Sequence, residues 1–63
     1  MTLNELLTVV SEPQEVLLRG DIGGDVTGEA HVLAATLREE ILAYTVSGIE
    51  AEDDTLKVWV EVK

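Results

Sequence analysis

The chain has 63 residues, 46% of them hydrophobic, with 13 Asp and Glu against 4 Lys and Arg, a formal net charge of -9 and no Cys. A domain this short buries only about 60% of the surface its unfolded chain exposes, and the absence of Cys beside a single His excludes disulfides and the ligand set of a structural zinc site as reinforcement. Regular Leu, Ile and Val throughout exclude acidic disorder, and the negative charge excludes long-range attraction to nucleic-acid backbones or anionic membranes.

The first element is written clearly. Thr2, Leu3, Asn4 and Glu5 have capping-box spacing, in which the Thr hydroxyl and the Glu carboxylate satisfy first-turn amides. Leu3, Leu6, Leu7 and Val10 follow at i, i+3, i+4 and i+7, one apolar stripe of a short helix. Ser11, Glu12 and Pro13 end it, because Pro disfavours helical backbone before it and donates no hydrogen bond.

From Gln14 to Ile22 the period becomes two, with Val16, Leu18, Gly20 and Ile22 on one side and Leu17, Arg19 and Asp21 on the other, which predicts a strand. Gly23, Gly24 and Asp25 supply a turn, and the alternation of Val26, Gly28, Ala30 and Val32 predicts the returning strand of a hairpin. Leu33, Leu37 and Ile41 are spaced by four, and Thr36 with Glu39 repeats the capping-box spacing, so a second short helix is expected within 34–43. Tyr44 to Glu52 reads as a third strand with a bulge at Ser47-Gly48. After a turn at Glu52, Asp53 and Asp54, Leu56, Val58, Val60 and Val62 alternate with Lys57, Trp59, Glu61 and Lys63 in a fourth strand.

The expected fold is α+β, a single domain over 1–63 in the order αββαββ. Its four-stranded, mainly antiparallel sheet carries the helices on one face. Leu3, Leu6, Leu7, Val10, Val16, Leu18, Val32, Leu37, Ile41, Leu56, Val58 and Val60 form the expected core. So small a core favours a partner or a second copy as reinforcement, and a homo-oligomer is expected. No apolar run approaches the roughly 18 residues of a membrane span, and the amino terminus lacks the basic flank and cleavage site of a signal peptide. A cytoplasmic protein is expected.

Catalytic patterns are sparse, and no enzymatic activity, cofactor or metal is expected. Arg19-Gly20-Asp21 spells an integrin-recognition tripeptide but lies within a predicted strand. Asp21, Gly23 and Asp25 begin like a calcium loop, yet Val26 and Val32 stand where that loop needs Gly and a bidentate Glu. His31 is expected on a strand surface, and Ser11 and Ser47 fit turn and bulge positions rather than an activated nucleophile. Glu39, Glu40, Glu50, Glu52, Asp53 and Asp54 form a candidate acidic patch, with no cleft implied that would shift their pKa values.

Trp59 is the residue of most interest. The alternation that sends Val58 and Val60 inward sends Trp59 to the opposite face with Lys57, and Leu17 and Arg19 occupy the matching side of the first strand. Tyr44 joins them if the third strand begins there. Either Trp59 is a lone aromatic covered by its neighbours' stems, or the face associates with something, since Trp, Tyr and Arg are enriched among binding hot spots.

Leu3-Asn4-Glu5-Leu6-Leu7, Glu15-Val16, Leu37-Arg38-Glu39-Glu40 and the Ala51-Glu52-Asp53 turn into a Val-rich strand together resemble small acidic accessory proteins of phages and prophages of Gram-positive bacteria. The resemblance implies a counter-defence protein acting in the host cytoplasm. Two modes are open beside a phage structural or assembly role. One is an inhibitor occupying a host protein surface, for which complementary charge accelerates encounter. The other is a homo-oligomeric sponge for a small nucleotide-like signal, with Arg19, Arg38, Lys57, Tyr44 and Trp59 as candidate contacts.

Overall fold

The computed structural model describes residues 1–62. Helix α1, Leu3–Val9, starts as its sequence dictates: Thr2 N–H donates to Glu5 Oε1 at 2.7 Å and Glu5 N–H donates to Thr2 Oγ1 at 3.1 Å. Its stripe of Leu3, Leu6 and Leu7 is buried. Strands β1 (Glu15–Gly20) and β2 (Val26–Glu29) form the first hairpin, and β3 (Thr45–Glu52) and β4 (Thr55–Glu61) the second. Between them lie two helices, α2 (Ala30–Thr36) and α3 (Glu39–Leu42).

The fold is α+β, but the order is αββααββ and the sheet is mixed. Its strands run β2-β1-β4-β3, with antiparallel hairpins on the outside and a parallel β1/β4 pair joining them at the centre. This corrects the mainly antiparallel expectation. Side-chain alternation is identical in parallel and antiparallel strands, so period two alone does not encode which strands of two hairpins meet.

The segment after β2 departs most from expectation. The strand foreseen through Val32 stops at Glu29, whose carboxylate accepts the His31 N–H at 2.8 Å and caps α2. Val32 therefore lies on a helix surface, 54% exposed, while Ala30 and Leu33 take the core positions. The foreseen Thr36–Glu39 capping box does not form. Thr36 Oγ1 donates back to Val32 O at 2.8 Å inside α2, and Arg38 precedes α3 without a side-chain cap.

Leu3, Leu6, Leu7, Ala30 and Leu33 from the helices meet Val16, Leu18, Val58 and Val60 from the two central strands. Val10, Leu37, Ile41, Leu56 and Tyr44 are half-buried around them. β1 ends at Gly20, not Ile22. There φ is +114° and a Cβ would overlap the Val60 carbonyl oxygen, so only glycine allows β1 to lie this close to β4. The bulge expected in β3 is present, as the register against β4 slips between Val46 and Gly48. Asp53 and Asp54, with φ of 49° and 64°, make the two-residue turn of the second hairpin.

Candidate functional site

All three helices contribute to the core on one face of the sheet. The opposite face is therefore uncovered. Alternation along β1 and β4 places Leu17, Arg19, Lys57 and Trp59 on it, all half-buried by one another and by neighbouring strands. Thr27, Leu17, Lys57 and Glu50 align in one register row, and Arg19, Trp59 and Gly48 in the next. Gly48 matters to the shape. The position a Cβ would take there lies 3.5 Å from Trp59 Cε3, so the indole leans across the bulge glycine toward β3, as aromatic rings commonly do beside strand glycines.

Each of the two cations on this face has a carboxylate beside it. Arg19 Nε is shut off from solvent 3.4 Å from Asp25 Oδ2, near enough for charge attraction but without hydrogen-bond geometry. Lys57 Nζ pairs with Glu52 Oε1. That hydrogen bond first, and the ammonium charge second, hold the Glu52 carboxyl below its usual range. Ion pairs at a protein surface contribute little to stability, so their effect is mainly to orient the two long side chains. Glu15, Glu50 and Glu61 have the same parity as these residues and form an acidic rim, while the Glu29 carboxylate is taken up in capping α2.

Two expected contacts lie elsewhere. β3 begins at Thr45, which leaves Tyr44 packed against the core side. Arg38 stands before α3 with its side chain 81% exposed, paired with Glu40 at 3.5 Å. The foreseen acidic patch also divides: Glu39 and Glu40 start α3, Glu50 and Glu52 belong to the uncovered face, and Asp53 and Asp54 form the hairpin turn. Asp25 and Gly48 were absent from the sequence-derived contacts because only strand register brings them to Arg19 and Trp59. Their available signals were the turn position of Asp25 and the bulge at Gly48.

His31, expected on a strand, is exposed in the first turn of α2, with Nε2 against the Val10 carbonyl oxygen. Asp21 is engaged through its carboxylate, which accepts the Val62 N–H at 3.2 Å. A shallow open depression between α1 and α3 is lined by Thr2, Asn4, Glu39, Leu42 and Ala43 and brings no two titratable groups together. Among the described residues, no group of three His, Asp or Glu has a metal-binding arrangement, and no helix is long and apolar enough to cross a membrane. Comparisons with protein-family models, curated proteins and solved structures gave no match.

Proposed function

We propose that this chain is a non-enzymatic, phage-type binding protein, a counter-defence inhibitor that occupies a host protein's surface with the uncovered sheet face. The observation that carries the reading is the convergence of Leu17, Arg19, Lys57 and Trp59 on the one sheet face without helices. Trp and Arg are the side chains most often responsible for interface affinity. The carboxylate rim and the net charge of -9 favour a basic partner and speed its approach.

The nucleotide-sponge alternative has less support. Each described Lys and Arg side chain already has a carboxylate beside it, and Arg38 and Tyr44 lie outside the face. Phosphate capture would have to displace those carboxylates or recruit cations from further copies in a homo-oligomer.

Immobilised wild type, Trp59→Ala and the remote control Glu39→Gln, each challenged with host lysate across a salt series, test the proposal. Wild type and Glu39→Gln should retain the same basic host protein, releasing it as salt rises. Trp59→Ala should keep its melting transition and lose the partner. A Trp59→Ala protein that unfolds, or that captures as well as wild type, overturns the assignment of this face.

A further inference from the structure

The edge of β3 is occupied over only part of its length. At its beginning the amino-terminal segment adds alongside: Thr2 bridges Thr45, Val46 N–H donates to Met1 O at 2.9 Å, and Leu3 N–H donates to Tyr44 O at 2.9 Å. Past the bulge at Ser47-Gly48 no backbone bond among the described residues reaches the outer side of the strand, which is the last in the sheet. A two-residue hairpin makes Glu52 and Thr55 a hydrogen-bonded pair, so alternation turns the backbone N–H and C=O of Ile49 and Ala51 away from β4. Val46 has the same outward direction on the other side of the bulge, which agrees with its bond to Met1.

The side chains along this stretch define what it would accept. Ile49 and Ala51 lie on the helix side of the sheet and are exposed, Ile49 by 49%. Glu50 and Glu52 lie on the uncovered side, continuous with Gly48 and the Trp59 indole. An added strand would thus meet apolar groups on one parity and carboxylates on the other. Two copies of this edge would set Glu50 and Glu52 against their own counterparts, and like charges directly across a strand pair repel. The other edge, β2, has only four residues.

Resting on the reading of the chain as a binder of basic proteins, we propose that β3 from Gly48 to Glu52 captures an extended segment of its partner by strand addition. That segment alternates Lys or Arg with apolar residues, one cation over Glu50, whose carboxylate has no ion pair among the described residues, and the next beside the Glu52–Lys57 pair, with its apolar side chains beside Ile49 and Ala51. Footprint supports the combination. Four strands at about 4.8 Å spacing and six residues at about 3.3 Å give the uncovered face roughly 400 Å² in plan, against about 800 Å² per partner in a standard interface. An edge contiguous with Trp59 supplies much of the difference, with main-chain bonds for affinity and alternate side chains for selectivity.

A terminally blocked alternating Lys-Val hexapeptide, titrated into the full chain and followed by amide shifts and hydrogen exchange, tests this. Ile49 and Ala51 amides should shift and become protected. A peptide of the same composition with its lysines and valines in separate blocks should bind about tenfold or more weakly. Ala51→Pro removes an outward N–H and leaves the β3/β4 ladder intact, a position where edge strands tolerate Pro. It should abolish binding while keeping the melting transition. Glu50→Lys should transfer preference to an alternating Glu-Val hexapeptide. Binding indifferent to Ala51→Pro, shifts confined to Leu17, Arg19 and Trp59, no shift at millimolar peptide, or protection of Ile49 and Ala51 by self-association without peptide would each overturn strand addition. Host-protein capture lost in Trp59→Ala but retained in Ala51→Pro would leave the sheet-face reading standing while this one falls.

Discussion

The tripeptide Arg19-Gly20-Asp21 shows how much a residue's setting decides. Each member has an internal role: Arg19 faces Asp25, Gly20 permits contact with the Val60 carbonyl, and Asp21 accepts the Val62 N–H. These roles account for the three residues without an extracellular receptor. Gly20→Ala would force a positive φ on a residue with a Cβ and drive that Cβ into backbone, so a loss of about 2 kcal/mol or more is expected in urea unfolding. An unchanged midpoint would mean that β1 and β4 separate at low cost. Trp59 was assignable by parity alone, since residues two apart share a face and β4 has no bulge of its own. Gly48, the surface on which the indole rests, required the register.

Among the elements, α1 follows local rules throughout. Its capping box is formed, and the Thr2 backbone N–H, then the Thr2 hydroxyl, hold the Glu5 carboxyl below its ordinary value of 4.5. A carboxylate with a depressed folded pKa contributes stability that is present above its unfolded pKa and lost as pH falls through the folded value. Glu52 obeys the same sign through Lys57. Wild type should therefore exceed a Glu5→Gln, Glu52→Gln double variant in melting temperature at neutral pH, and the gap should close below about pH 4.5. A gap that widens in acid would contradict both assignments. By contrast, α2 was concealed by composition. Glu is a poor helix-capping residue beside Ser, Thr, Asp or Asn, and Val26, Gly28, Ala30 and Val32 alternate as a strand would. The competing signal was present in Ala30, Leu33, Ala34 and Leu37 at i, i+3, i+4 and i+7. Tertiary packing settles the conflict, because Ala30 and Leu33 reach the core only from a helix.

For the whole molecule, the governing quantity is charge at close quarters. Its longest extent is 27 Å, inside a Debye length of about 30 Å at 0.01 M salt and well beyond the roughly 8 Å of physiological ionic strength. Thirteen acidic residues against four basic ones thus repel across the entire fold in dilute buffer. The melting temperature should rise by several degrees from about 0.01 to 0.5 M sodium chloride, where about 1 kcal/mol corresponds to roughly 4 to 8 °C in a domain of this size. A fall would show that the ion pairs at Lys57, Arg19 and Arg38 outweigh the repulsion. The same charge discourages non-specific self-association and favours encounter with basic surfaces.

The sequence by itself determined the α+β class, the first helix with its cap, both hairpins, the bulge in β3 and the separation of Trp59 from Val58 and Val60. These follow from local torsional preference and from a side-chain period of two or 3.6, both confined to a few neighbouring residues. Only the tertiary structure decided that β1 and β4 pair in parallel, that the chain turns helical at Ala30, that Tyr44 faces the core, and that Asp25 and Gly48 join Arg19 and Trp59. The contacts of Asp25 and Gly48 depend on the register within each hairpin, and the others on which distant elements lie alongside. Alternation does not encode that choice, and it is made by burying Val16, Leu18, Val58 and Val60 together beneath the helices.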